Sequence, residues 1–100
     1  MKHAIASQKI GTWLKVTVCA MVDYPWLVQI VDKSPDLNRS AFYILVPAED
    51  MSKVIGTGGR NIHALRRLLE SVGGKYDHPS TLHLPVTKSI HVLKGRTKHA

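Results

Sequence analysis

Three glycines in four positions, followed by an arginine, mark the one stretch of this chain whose residue types could do specific chemistry. It reads "VIGTGGRNIHAL", residues 54–65. Gly56, Gly58 and Gly59 lack a Cβ, so the backbone there is free to adopt angles closed to other residues and exposes bare N–H groups. A helix that starts at Arg60 would add the positive end of its dipole, a ready site for a phosphate oxygen. Lys53 lies one turn before the loop and Arg60 directly after it, so both cations can reach a phosphate held by the amides. A hinge or a tight interhelical turn would use glycine as well. Two better-known glycine motifs do not fit. The G-x-x-x-x-G-K-[ST] spacing of a nucleoside triphosphate loop is absent, and the third glycine of a dinucleotide fingerprint is missing after Gly56-x-Gly58.

Little else suggests reaction chemistry. The six histidines (His3, His63, His78, His83, His91 and His99) are scattered and form no tight ligand group with cysteine or carboxylate, so no metal is expected. No Ser/His/Asp, Cys/His or paired-carboxylate arrangement stands out, and no cofactor motif is complete. A non-enzymatic protein is expected. The single cysteine, Cys19, has no internal partner and fits a reducing compartment such as the cytoplasm.

Charge narrows the class of partner. The 100-residue chain carries 14 Lys and Arg against 7 Asp and Glu, a net +7. Residues 1–50 hold five cations and five acids, and residues 51–100 hold nine cations against Glu70 and Asp77. The whole excess therefore sits in the half with the glycine loop, which points to a polyanion, nucleic acid or an anionic membrane surface. No apolar run approaches the ~20 residues that span a bilayer, and residues 16–22 do not read as a signal peptide. At 44% hydrophobic and 21% charged, the chain has ordinary globular composition and the length of one domain.

The elements that must position the loop follow from pattern. Residues 8–22 fit two periods. Ile10, Trp13/Leu14, Thr17/Val18 and Met21/Val22 recur at helical spacing, while Leu14, Val16, Val18 and Ala20 alternate like a strand. Residues 26–34 and 41–47 read as two strands joined by turn chemistry at residues 34–38, an antiparallel pair. Pro47, Glu49 and Asp50 suit the start of a short helix that stops at Gly56. Residues 60–72 form the clearest helix, with Ile62, Leu65, Leu68, Leu69 and Val72 on one face and Gly73-Gly74 as its stop. Arg66 and Arg67 read as a solvated face. Residues 81–86 form a third strand with Pro85 at its end or edge, and Lys88, Lys94, Arg96 and Lys98 make a basic tail. Aromatic residues are few and cluster in the neutral half, which argues against an aromatic stacking platform.

The order α-β-β-α-α-β, with I-G-x-x-G-x-x-I present as Ile55-Gly56, Gly59 and Ile62, resembles a type II KH domain. "VDYPWLVQI" upstream and "EDMSKVIG" before the loop are similar to the small bacterial KhpA proteins. The resemblance implies an α+β fold, a KH domain over residues 10–86 between an N-terminal segment (1–9) and a basic tail (87–100), and a helix for residues 8–22. It implies a G-x-x-G loop that clamps about four nucleotides of single-stranded RNA, with Lys53, Ile55, Gly56, Thr57, Gly58, Gly59 and Arg60 as the RNA-binding residues. Ile55 would also floor the groove. Where the family loop often holds a lysine, this chain has Thr57-Gly58, so the charge falls to Lys53 and Arg60. The resemblance further implies a cytoplasmic bacterial RNA chaperone or post-transcriptional regulator, linked to cell shape, that dimerises with itself or with a second KH-containing protein. The uncharged pair keeps an alternative open, a KH fold used mainly for protein–protein assembly.

Overall fold

The computed structural model describes residues 2–34 and 37–84. The expected turn at Pro35-Asp36, the end of the third strand at Pro85-Val86 and the basic tail (87–100) lie outside the described residues.

The first ambiguity resolves as a helix. α1 (Lys2–Cys19) places Ala6, Ile10, Leu14 and Val18 on one buried stripe at four-residue spacing. Val16, which the strand pattern would bury, is 65% exposed. Burial of the stripe outweighs the β-branched content, because helix stability in proteins comes mainly from packing an apolar face.

The next element is shorter than its sequence suggests. Residues 25–27 form a 3₁₀ turn, and β1 is only Gln29–Asp32. Val28 N–H donates to the Pro25 carbonyl and Leu27 N–H to the Tyr24 carbonyl, so these amides are engaged locally and cannot join a strand ladder. Asp50, fully buried, receives the amides of Asp23 and Tyr24 at 3.0 Å each and holds this turn against the next helix.

β2 (Ser40–Leu45) pairs antiparallel with β1 and buries Ser40, Phe42 and Ile44 on one face. Pro47 then caps α2 (Ala48–Ile55). α3 runs Arg60–Lys75, and Ile62, Leu65 and Leu69 face the core while Leu68 is 52% exposed. Gly73-Gly74 does not end α3, as expected, but sits inside its last turn. The stop comes three residues later. Asp77 adopts φ +53°, its N–H reaches the Gly74 carbonyl at 3.2 Å, and His78 N–H reaches the Gly73 carbonyl at 2.8 Å. This is a Schellman closure with aspartate in the left-handed position that glycine usually takes. Gly73 answers a different need. A Cβ there would lie 2.8 Å from the His78 carbonyl oxygen.

β3 (Ser80–His83) pairs parallel with β2, giving sheet order β1-β2-β3. Among the described residues the result is α+β, a three-stranded mixed sheet with its core on the helix side, in the expected order α-β-β-α-α-β. A polar relay ties the pieces together. The hydroxyls of Ser7 and Ser40 donate to one Asp32 oxygen at 2.7 and 2.6 Å, and the amides of Ser34 and Ala41 donate to the other. Burial pushes the Asp32 carboxyl up, but these four donors outweigh it and hold it below its usual value. Ser40 Oγ also lies 2.8 Å from His78 Nε2. With its one proton given to Asp32, Ser40 accepts from His78. A Ser/His/Asp grouping thus exists, but the serine stands between acid and imidazole. That order does not generate a nucleophile, which needs the imidazole as base and the acid behind it.

Candidate nucleic-acid interface

The loop between α2 and α3 is built by its glycines. Gly56 N–H donates to the Ser52 carbonyl and closes α2. Gly56 then takes φ 78°, ψ 167°, a region essentially confined to glycine. Gly58 (φ 63°, ψ 19°) and Gly59 (φ 80°, ψ 13°) follow in the left-handed region. Gly59 N–H donates back to the Gly56 carbonyl at 3.0 Å, and Arg60 N–H to Thr57. Among the described residues, the amides of Thr57 and Gly58 find no backbone acceptor. Both residues are exposed, and a Cβ built on Gly58 would meet nothing within 4 Å. The tip of the loop therefore holds, on two exposed residues, amides without a backbone acceptor beside the positive end of a 16-residue helix.

The expected site residues fall as follows. Gly56, Thr57, Gly58, Gly59 and Arg60 are contiguous at this tip, and Arg60 is exposed. Ile55 is half-buried against the core. Lys53 is engaged in an ion pair, its Nζ 3.2 Å from Asp23 Oδ2. An exposed pair of this kind contributes about 0–1 kcal/mol, so an approaching phosphate displaces it at small cost.

Three residues near the loop were not legible as functional from sequence. Asn61 Nδ2 donates to the Lys53 carbonyl at 2.8 Å and latches the two helices over Gly56. The His63 ring leans on Gly59, 3.4 Å from where a Cβ would stand. Arg66 is exposed, as expected of a solvated face, but its guanidinium is also engaged. Its Nε and Nη2 donate to the Leu82 carbonyl at 3.3 and 3.2 Å, bridging α3 to the outer edge of β3. A shallow cavity of about 170 Å³ opens there between Arg66, Leu69, Glu70, Ser80, Thr81 and Leu82. Each of these contacts joins residues 8 to 16 positions apart, or depends on a missing Cβ, and no local motif marks them.

The decisive comparison is with known families. The profile of the KhpA/KhpB KH domain matches residues 12–84, from the middle of α1 to the end of β3. The chain belongs to the KhpA/KhpB KH-domain family. No curated protein and no solved structure matches it. The KH domain is a nucleic-acid-binding kind of domain, and membership points to RNA as the partner. Among the described residues, no helix of this KH domain is long and apolar enough to cross a membrane.

Proposed function

We propose that this KH domain is a non-enzymatic binder of single-stranded RNA that grips the RNA backbone through residues 56–59. One observation carries the reading: the two unbonded amides of Thr57 and Gly58 at an open, glycine-built tip. Phosphate oxygens accept from those amides, the α3 dipole and Arg60 add positive potential, and Lys53 joins by leaving Asp23. In this reading Ile55, half-buried against the core, supplies the apolar floor of the groove. The KH unit spans residues 10–86, and the basic residues from 87 onward add non-specific phosphate attraction. With this family, the role is that of an RNA chaperone or post-transcriptional regulator in the bacterial cytoplasm, acting with a second KH-containing chain.

Replacing Thr57 and Gly58 by aspartate tests the clamp. The space above Gly58 accommodates the new side chain, and aspartate tolerates left-handed angles better than most residues. Gel-shift binding of single-stranded RNA should fall by more than tenfold with the circular dichroism unchanged. Binding that persists unaltered in a folded variant removes the clamp. A salt titration of the wild type should give a log–log slope of about −0.7 per phosphate neutralised.

A second reading, protein–protein assembly, is favoured by Trp26. It is 73% exposed and packs edge-on against Tyr24 at 5.6 Å. Exposed tryptophan is typical of interface hot spots. Sedimentation of Trp26→Ala beside the wild type tests it. A self-associating wild type and a monomeric variant support the surface, and unchanged association excludes it.

A further inference from the structure

The sheet has two faces, and the described helices cover only one. Residues that alternate with buried Ser40, Phe42, Ile44 and Leu82 face the other way, among them Tyr43, Thr81 and His83. The register places Val31, Tyr43 and His83 in one row across the three strands. The Tyr43 and His83 rings are stacked, with centroids 4.8 Å apart and planes 23° apart. That separation equals the ordinary spacing of adjacent strands, so the two rings stand side by side on the sheet. Lys33 Nζ lies 5.2 Å from the Tyr43 ring centre. Lys33 follows β1, on the opposite side of β2 from β3, and so covers the ring face away from His83. Thr81 Oγ1 lies 2.9 Å from His83 Nε2 and restrains the imidazole.

Among the described residues, this pile ends at His83. Among the described residues β3 is the edge strand of the sheet, so one face of the imidazole meets Tyr43 and no described strand lies against the other. Leu82, the preceding residue, is the one whose carbonyl holds Arg66 on that edge. Arg66 lies seven residues along α3 from Gly59, about 10 Å at helical rise. We propose that the outer face of His83 is a stacking site for one nucleobase of a single strand held by residues 56–59. The proposal rests on the RNA-binding reading given above. Every base has a π-face, so stacking suits a strand of any sequence. Arg66, held on the same edge by the Leu82 carbonyl, supplies a cation for a phosphate next to that base, while Lys33 closes the far end of the pile. That step along α3, from the loop to Arg66, is shorter than the span of the roughly four nucleotides that a KH loop holds.

The sequence argued against a stacking platform because the aromatics lie in the neutral half. Strand register removes that objection by setting Tyr43 of the neutral half beside His83 of the basic half.

The test is a binding titration of fluorescently labelled octameric RNA, intact and with a single abasic site moved along it. His83→Ala should weaken binding of the intact strand about fivefold or more, the lower end of base–aromatic stacking, and His83→Phe should retain it. An abasic site at one position should weaken the wild type to a similar extent and leave His83→Ala indifferent. Circular dichroism checks that the variants fold. If His83→Ala binds like the wild type while the Thr57/Gly58 aspartate variant does not, the stacking site is refuted and the clamp stands. If the wild type binds no RNA, both fall. An abasic scan that is flat in the wild type refutes the stack even where His83→Ala is misfolded. If His83→Ala alters self-association and not RNA binding, the face belongs to a protein partner and the proposal is wrong.

Discussion

Gly56 and Gly58 are two residues apart in one loop, yet alanine at each should have different consequences. At Gly56 the backbone sits at φ 78°, ψ 167°, where a residue with a side chain incurs about 1–3 kcal/mol of strain. A Cβ there would also stand 2.7 Å from Asn61 Cγ and 2.8 Å from the Asn61 backbone nitrogen. The side chain can turn away, but the nitrogen belongs to the first turn of α3 and moves only with the helix. Overpacking of this kind adds about 1–3 kcal/mol. Gly56→Ala should therefore cost roughly 4 kcal/mol, a large share of the stability of a small domain. At Gly58 the backbone is left-handed and the space is empty, so alanine costs about 1–2 kcal/mol of strain alone. Urea unfolding followed by circular dichroism measures both, with equal m-values required for the comparison. RNA affinity should rank the other way per unit of stability lost, because the Gly58 methyl enters the space where a phosphate is expected. Equal destabilisation by the two alanines would refute the steric account of the loop.

Further outcomes follow from single contacts. Asp50→Ala leaves the amides of Asp23 and Tyr24 without their buried acceptor and should cost about 2–6 kcal/mol in the same unfolding assay, since each donor left unsatisfied costs about 1–3 kcal/mol. Asp77→Gly relieves the left-handed strain at the end of α3 and should raise stability by about 1 kcal/mol, or a melting temperature by roughly 4–8 °C. Asp32 is held below its ordinary carboxyl value in the folded chain. Its contribution is therefore present above the unfolded value and is lost as pH falls through the folded one. Acid titration of stability should show a loss in that window that Asp32→Asn abolishes, and NMR titration of Ser40→Ala should show the Asp32 carboxyl moving back up.

Much of the frame was legible in the sequence, and the exceptions share a cause. α3 and α2 could be read because their signals are local: apolar residues three and four apart, acids at a helix start, a glycine at its end. The clamp residues could be read because glycine spacing is a property of adjacent positions. Residues 8–22 could not be settled, since Leu14 and Val18 satisfy both periods and only the exposure of Val16 separates them. Gly73-Gly74 misled because glycine at the end of a helix usually stops it, whereas here Gly73 clears the way for the His78 carbonyl. The expected strand at residues 26–34 lost its first part to a turn that Asp50 fixes from more than 25 positions away.

The sequence by itself determined that the basic half carries a glycine loop before a helix, and that this pattern belongs to the KH family. Tertiary structure alone decided which amides remain open at the loop tip, that Asn61 latches the two helices and that Arg66 faces β3. It also decided that Tyr43 and His83 form one stack. The reason is physical. Propensity and periodicity act between chain neighbours, whereas these arrangements are chosen by strand register and by packing between residues many positions apart.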